Sequence, residues 1–263
     1  MAEYFRCDPG KYGCNASCCR DNESTPSLTV GDLYRISRKT GERIEDIWKT
    51  KGSVVLQMPP GMKNSFFVTP GLFHNPCPYL NGDNQCDIHD SRPISCANFP
   101  VFHQVLEGAD LENDKIKYDC MEGCEFSSEQ IEIAKRVEKI QEAENITALK
   151  ILGEIFWPIV IEGPSDLKKY TAQARETFAK KDPSFTTMRG MLLKQNIDYV
   201  EGQAGMFIEG ISNPFNQVHM APIFHAIYDD YFTEVITGKW NEIRRAVRQT
   251  SREYLEVLGG IPF

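Results

Sequence analysis

Nine cysteines in a chain of 263 residues are the first pointer to chemistry. Cys7, Cys14, Cys18 and Cys19 follow the pattern C-x6-C-x3-C-C in a stretch rich in small residues. Cys77, Cys86 and Cys96 form C-x8-C-x9-C, and Cys120 and Cys124 close the series as C-x3-C. Thiolates are soft ligands that suit zinc, copper(I) and iron–sulfur clusters. A tetrahedral zinc site or a cubane 4Fe–4S cluster takes four of them. Eight cysteines would fill two such sites, and four would fill one. The adjacent Cys18 and Cys19 point opposite ways in extended chain. Both would then ligate most easily toward two metals, or two irons of one cluster; alternatively one ligates and the other is a small buried core residue. Many thiolates and the doublet tilt the expectation toward iron over zinc.

Other side chains bear on such a site. Arg92-Pro93 precedes Cys96, with Pro93 suited to the first turn of a helix. Arg92 could offset thiolate charge and donate to sulfur. His89 follows Cys86 by three residues, and His74 precedes Cys77 by three. Either could complete a mixed site, although with this many cysteines they read as polar neighbours of it. His219, His225 and Asp229-Asp230 read as parts of one aromatic-rich helix. Arg244, Arg248 and Arg252 read as a solvated stripe. The glycines of residues 200–210 lack the lysine and hydroxyl of a phosphate loop. No serine–histidine–aspartate triad stands out, so whether the protein is an enzyme is left open.

Composition narrows the class. The net charge of −8 argues against a nucleic-acid partner. Hydrophobic residues at 41% can bury a core. The first residues have no apolar leader, and the longest apolar patch, 155–161, is interrupted by Pro158. No membrane span is expected. These features suggest a cytoplasmic, reducing setting, where clustered thiols bind metal rather than pair.

The elements that must position these residues follow from periodicity. Residues 27–41 read as a helix with a capping box from Thr29 to Asp32, an apolar face at Leu33 and Ile36, and Gly41 as its close. A second helix over 42–51 points Ile44, Ile47 and Trp48 inward. Strands are expected around 54–56 and 66–68, bounded by Pro-Pro-Gly and Pro-Gly turns. Asn81-Gly82 reads as a turn, and residues 99–106 and 115–118 as a hairpin. Helices are expected over 127–143, 167–180, 185–197, 220–236 and 240–258, the last with an apolar stripe from Trp240 to Val257. The fold class is therefore α+β and helix-rich: a cysteine-rich, metal-stabilised half with short strands, 1–126, and a helical half, 127–263. The boundary is soft, and the second half can pack on the first as one unit.

A specific resemblance emerges from Phe5-x-Cys7, Cys18-Cys19-Arg20, the segment 28–41, then CPYL, C-x-I-H, R-P-x-x-C and NFP. In this order they resemble the CxxCxxCC family of YkgJ-type zinc- or iron-chelating domains, across 5–124. The resemblance implies metal ligands at Cys7, Cys14, Cys18, Cys19, Cys77, Cys86, Cys96 and Cys120, the last preferred over Cys124, with Arg92 and His89 around them. The first group is wider than the family's C-x2-C-x2-C-C. Flagellin lysine N-methylases are similar in having this cysteine domain, which would imply S-adenosylmethionine as cofactor and a protein-lysine substrate. Three functions follow as expectations: an iron–sulfur protein in electron transfer or sensing, a methyltransferase, or a structural zinc domain. In each the helical half could face a protein partner or substrate.

Overall fold

The computed structural model describes residues 16–20, 25–57, 65–73, 76–98, 128–153, 157–209 and 214–259. The expected hairpin over 99–118, the Pro-Pro-Gly turn and the boundary near Phe126 lie outside them. In chain order the elements are α1 (Ser17–Arg20), α2 (Val30–Thr40), α3 (Ile44–Lys51), β1 (Gly52–Gln57), β2 (Ser65–Leu72), α4 (Ile94–Asn98) and α5 (Ser128–Leu152). Then come β3 (Trp157–Val160), α6 (Pro164–Ala179), α7 (Met188–Gly202), α8 (Ala204–Glu209), α9 (Pro214–Tyr231), α10 (Trp240–Ala246) and α11 (Arg248–Val257). The protein is α+β and helix-rich, as expected.

The start of α2 carries both arms of its capping box. The Thr29 hydroxyl accepts from the Asp32 N–H (3.0 Å), and the Asp32 carboxylate accepts from the Thr29 N–H (2.9 Å). Gly41 ends the helix at φ 74°, a backbone conformation open to glycine. Helix α3 turns Ile44, Ile47 and Trp48 into the core.

Strand β1 pairs antiparallel with β2, and β2 with β3, in the order β1-β2-β3. Two expectations are corrected here. Pro70-Gly71 is not a turn but the end of β2, opposite Val54 and Ser53. The backbone of residues 26–28 crosses that end, with the Leu28 N–H donating to the Pro70 carbonyl (2.8 Å). A side chain at Gly71 would strike Val55 and Thr25, which is why the crossing needs glycine. The apolar stretch 155–161, not assigned beforehand, supplies β3.

The first helix after residue 127 is also longer than expected, running to Leu152 rather than to about residue 143. Its inward stripe continues from Val137 and Ile140 through Glu144 to Ala148, all buried. The buried glutamate interrupts the apolar pattern without ending the helix. The last predicted helix divides at Val247 into α10 and α11; of its expected inward residues, Ile243, Val247, Tyr254 and Val257 are buried, and Trp240 and Thr250 are half-buried. Arg244, Arg248 and Arg252 are exposed.

Helices of the second half pack on the sheet and helices of the first. One core cluster runs from Leu28 through Trp48, Val68 and Phe224 to Val247. Trp48 of α3 lies between the rings of His225 (4.6 Å) and Phe232 (4.1 Å). Its indole N–H donates to the Asp229 carboxylate (2.7 Å), which also accepts from Lys181 (2.6 Å). Burial holds His225 well below the usual histidine range, at about 3, so it is neutral near pH 7. Trp48→Phe keeps the stack and deletes the bond to a charged acceptor. It is expected to cost about 1.5–3 kcal/mol in urea denaturation. Among the described residues no helix is long and apolar enough to cross a membrane.

Candidate metal centre

The doublet Cys18-Cys19 lies in α1, a single helical turn entered through Ala16 at φ 59°. The helical backbone of this turn replaces the extended chain expected of the doublet. Two bonds tie this turn to the second cysteine region. The Cys77 N–H donates to the Cys19 carbonyl (2.7 Å), and the Arg20 guanidinium donates to the Asn84 side-chain oxygen. The loop from Cys77 to Cys86 closes through a β-bridge between Leu80 and Cys86. At its tip the Asn81 side-chain oxygen accepts from the Asp83 and Gln85 N–H groups (3.0 and 2.9 Å). The asparagine–glycine turn forms where the sequence places it.

Cys77 is buried, Cys86 is half-buried beside it, and Cys19 is half-buried at the same core. Burial pushes the Cys77 thiol up to about 11, and the neighbouring Cys86 adds to this. The backbone amides of Tyr79 and Leu80 lie close enough to the thiol to pull the other way and favour the thiolate; the Leu80 N–H itself donates to the Cys77 carbonyl (3.0 Å). This donor chemistry fits a metal. Amides near a buried sulfur stabilise a ligated thiolate, and a cation supplies the positive charge needed to deprotonate it.

Cys96 is half-buried on α4. The Pro93 carbonyl accepts from the Ala97 N–H (2.9 Å), so Pro93 opens this helix as expected. The Arg92 guanidinium lies against the His89 ring (3.1 Å to Nε2) and donates to the His89 carbonyl (2.9 Å). The two residues expected around the ligands thus touch each other at the entry to α4. Cys7, Cys14, Cys120, Cys124 and His74 lie outside the described residues, as does the Cys18 side chain. Among the described residues no group of three or more cysteine, histidine or carboxylate side chains is gathered as a metal site. What is brought together is Cys77 with Cys86, and the backbone of Cys77 with that of Cys19 from a separate segment.

Residues 6–125 match the family model CxxCxxCC, described as "putative zinc- or iron-chelating domain". This stretch of the chain is thus similar to the CxxCxxCC family, whose description is chelation of zinc or iron. No curated protein and no solved structure matches the chain. The expected likeness to flagellin methylases is not among the matches.

A group that the motifs do not advertise as a site joins this stretch to the second half of the chain. Arg35 is wholly buried on α2 and bonds the carboxylates of Asp32 and of Glu144 on α5, both also wholly buried. Glu144 also accepts from the Thr29 hydroxyl. The guanidinium lies 4.1 Å from the ring centre of Tyr254 on α11 and reaches Ser251 (3.3 Å). Burial pushes the Glu144 carboxyl up and the Arg35 guanidinium opposes it. For Arg35 burial works against the charge, but the two carboxylates outweigh it and raise its pKa. A side chain at Gly31 would overlap the Glu144 carboxylate, so glycine admits it to α2. The signal in the sequence was a charged pair, Asp32 and Arg35, straddling the apolar Leu33 and Ile36 on one short helix. Glu144, on an otherwise apolar stripe, is its counterpart.

Proposed function

We propose that the CxxCxxCC-like stretch holds an iron–sulfur cluster through cysteine thiolates and serves electron transfer or sensing. The ligands proposed are Cys7, Cys14, Cys18, Cys19, Cys77, Cys86, Cys96 and Cys120, in a reducing compartment such as the cytoplasm. The observation that carries the proposal is Cys77: buried, beside Cys86, and hydrogen-bonded through its own N–H to the Cys19 carbonyl. When bound, a cluster supplies one-electron chemistry at a potential set by burial and by hydrogen bonds to its sulfurs. The residues here contribute both. Burial around Tyr79 and Ile88 excludes water, and the nearby amides of Tyr79 and Leu80 favour the charged sulfur. A structural zinc domain is the second reading, favoured by the family description, which names both metals.

Metal retention by single variants tests the assignment. Cys77→Ser, Cys86→Ser and Cys96→Ser are purified without oxygen beside the wild type, and iron, acid-labile sulfide and zinc are counted in each. Iron and sulfide are expected to fall together in all three. Full iron and sulfide in every variant would overturn the ligand set. Zinc without iron in the wild type, lost in the same variants, would give the zinc reading.

A further inference from the structure

The buried ion group and the helix carrying Cys96 are joined at one atom. The Asp32 Oδ1 that meets Arg35 also accepts from the Ile94 N–H (3.0 Å), the first residue of α4. Two more bonds hold the same segment. Tyr254 of α11 donates its hydroxyl proton to the Arg92 carbonyl (2.8 Å), and the Ser95 hydroxyl donates to the Ser27 carbonyl (2.9 Å). Below them Ile94 and Ala97 pack with Ile133, Val137 and Ile140 of α5 and with Tyr254 and Val257 of α11. A five-residue helix has little intrinsic stability of its own. The direction of Cys96 is therefore set from outside α4, by Asp32 and by the two long helices of the second half.

We infer that Asp32 is a positioning residue of the metal centre, fixing the Cys96 sulfur through Ile94, with Arg35 and Glu144 holding the carboxylate in place. The inference rests on the reading that Cys96 is a ligand. Metal occupancy in the cysteine-rich half is thereby coupled to the packing of α5 and α11, because one carboxylate serves both. Groups that orient a ligand in this way are typically worth about 10–100-fold in metal affinity.

The test uses the full chain as isolated. Metal release to a chromogenic chelator is timed, and the alkylation rate of each cysteine in the stripped protein is located by mass spectrometry. Asp32→Ala removes both the Ile94 contact and the charge. Asp32→Asn keeps an oxygen for Ile94 while removing the charge beside Arg35. Both are expected to lower the urea midpoint, but only Asp32→Ala should speed metal release and Cys96 alkylation, by about tenfold or more. Cys77 alkylation should be unchanged. Tyr254→Phe removes only the bond to Arg92 and should give a smaller, few-fold acceleration in the same direction; it decides the matter if Asp32→Ala does not fold. Unchanged release and Cys96 alkylation in a folded Asp32→Ala, or in Tyr254→Phe when it must stand in, would overturn the inference. So would equal acceleration in Asp32→Asn and Asp32→Ala, which would show a general loosening. Wild-type Cys96 that alkylates equally fast with and without metal would overturn the ligand reading as well; protection by metal with no effect of the variants would overturn the positioning role alone.

Discussion

Glu144→Ala is expected to destabilise the protein by about 3–5 kcal/mol, because it leaves Arg35 buried with one carboxylate in place of two. The loss is one of compensation rather than of packing. Glu144 bonds Arg35 through both oxygens and takes the Thr29 hydroxyl as well, so its removal strands three donors at a site closed to solvent. Urea denaturation of wild type and variant measures it. The triple variant Asp32→Asn, Arg35→Met, Glu144→Leu removes the charges together and is expected to be much closer to wild type. Equal destabilisation in the single and triple variants would show that the contribution lies in shape and not in charge.

Metal removal is the second large effect. Ligand thiolates bring separate segments of chain together, so the free energy of binding is also free energy of folding. Stripping the protein with a chelator under reducing conditions is expected to lower protection from amide exchange at Tyr79, Leu80 and Ile94 by about a thousandfold or more, or about 4 kcal/mol. The Tyr79 and Leu80 amides lie beside Cys77, Leu80 donating to its carbonyl, and the Ile94 amide donates to Asp32. Amides of α6 and α9, which pack on each other and on α7 away from the cysteines, are expected to change far less. Unchanged exchange at Tyr79 and Leu80 after complete stripping would separate metal from fold.

Much of this was legible in the sequence for physical reasons that can be named. The capping box at Thr29 and Asp32, the glycine at residue 41 and the inward Ile44, Ile47 and Trp48 are local signals, and local structure obeyed them. The same holds for the turn at Asn81 and for the stripe from Ile243 to Val257. What local pattern missed was decided by distant partners. Pro70-Gly71 stays in a strand because residues 26–28 bond across it. Helix α5 runs past residue 143 because Glu144 meets Arg35, more than a hundred residues away. Of the site, the cysteine motifs pointed to the zinc- or iron-chelating family that residues 6–125 match. The roles of Asp32 and Tyr254 at the Cys96 helix could not be read from spacing, since each acts on a backbone group remote in the chain.

The most direct measurement is a visible spectrum of protein purified without oxygen, before and after dithionite reduction, with iron, acid-labile sulfide and zinc counted on the same sample. The account predicts a brown protein with matched iron and sulfide whose colour bleaches on reduction. A colourless protein carrying zinc and no iron would contradict it.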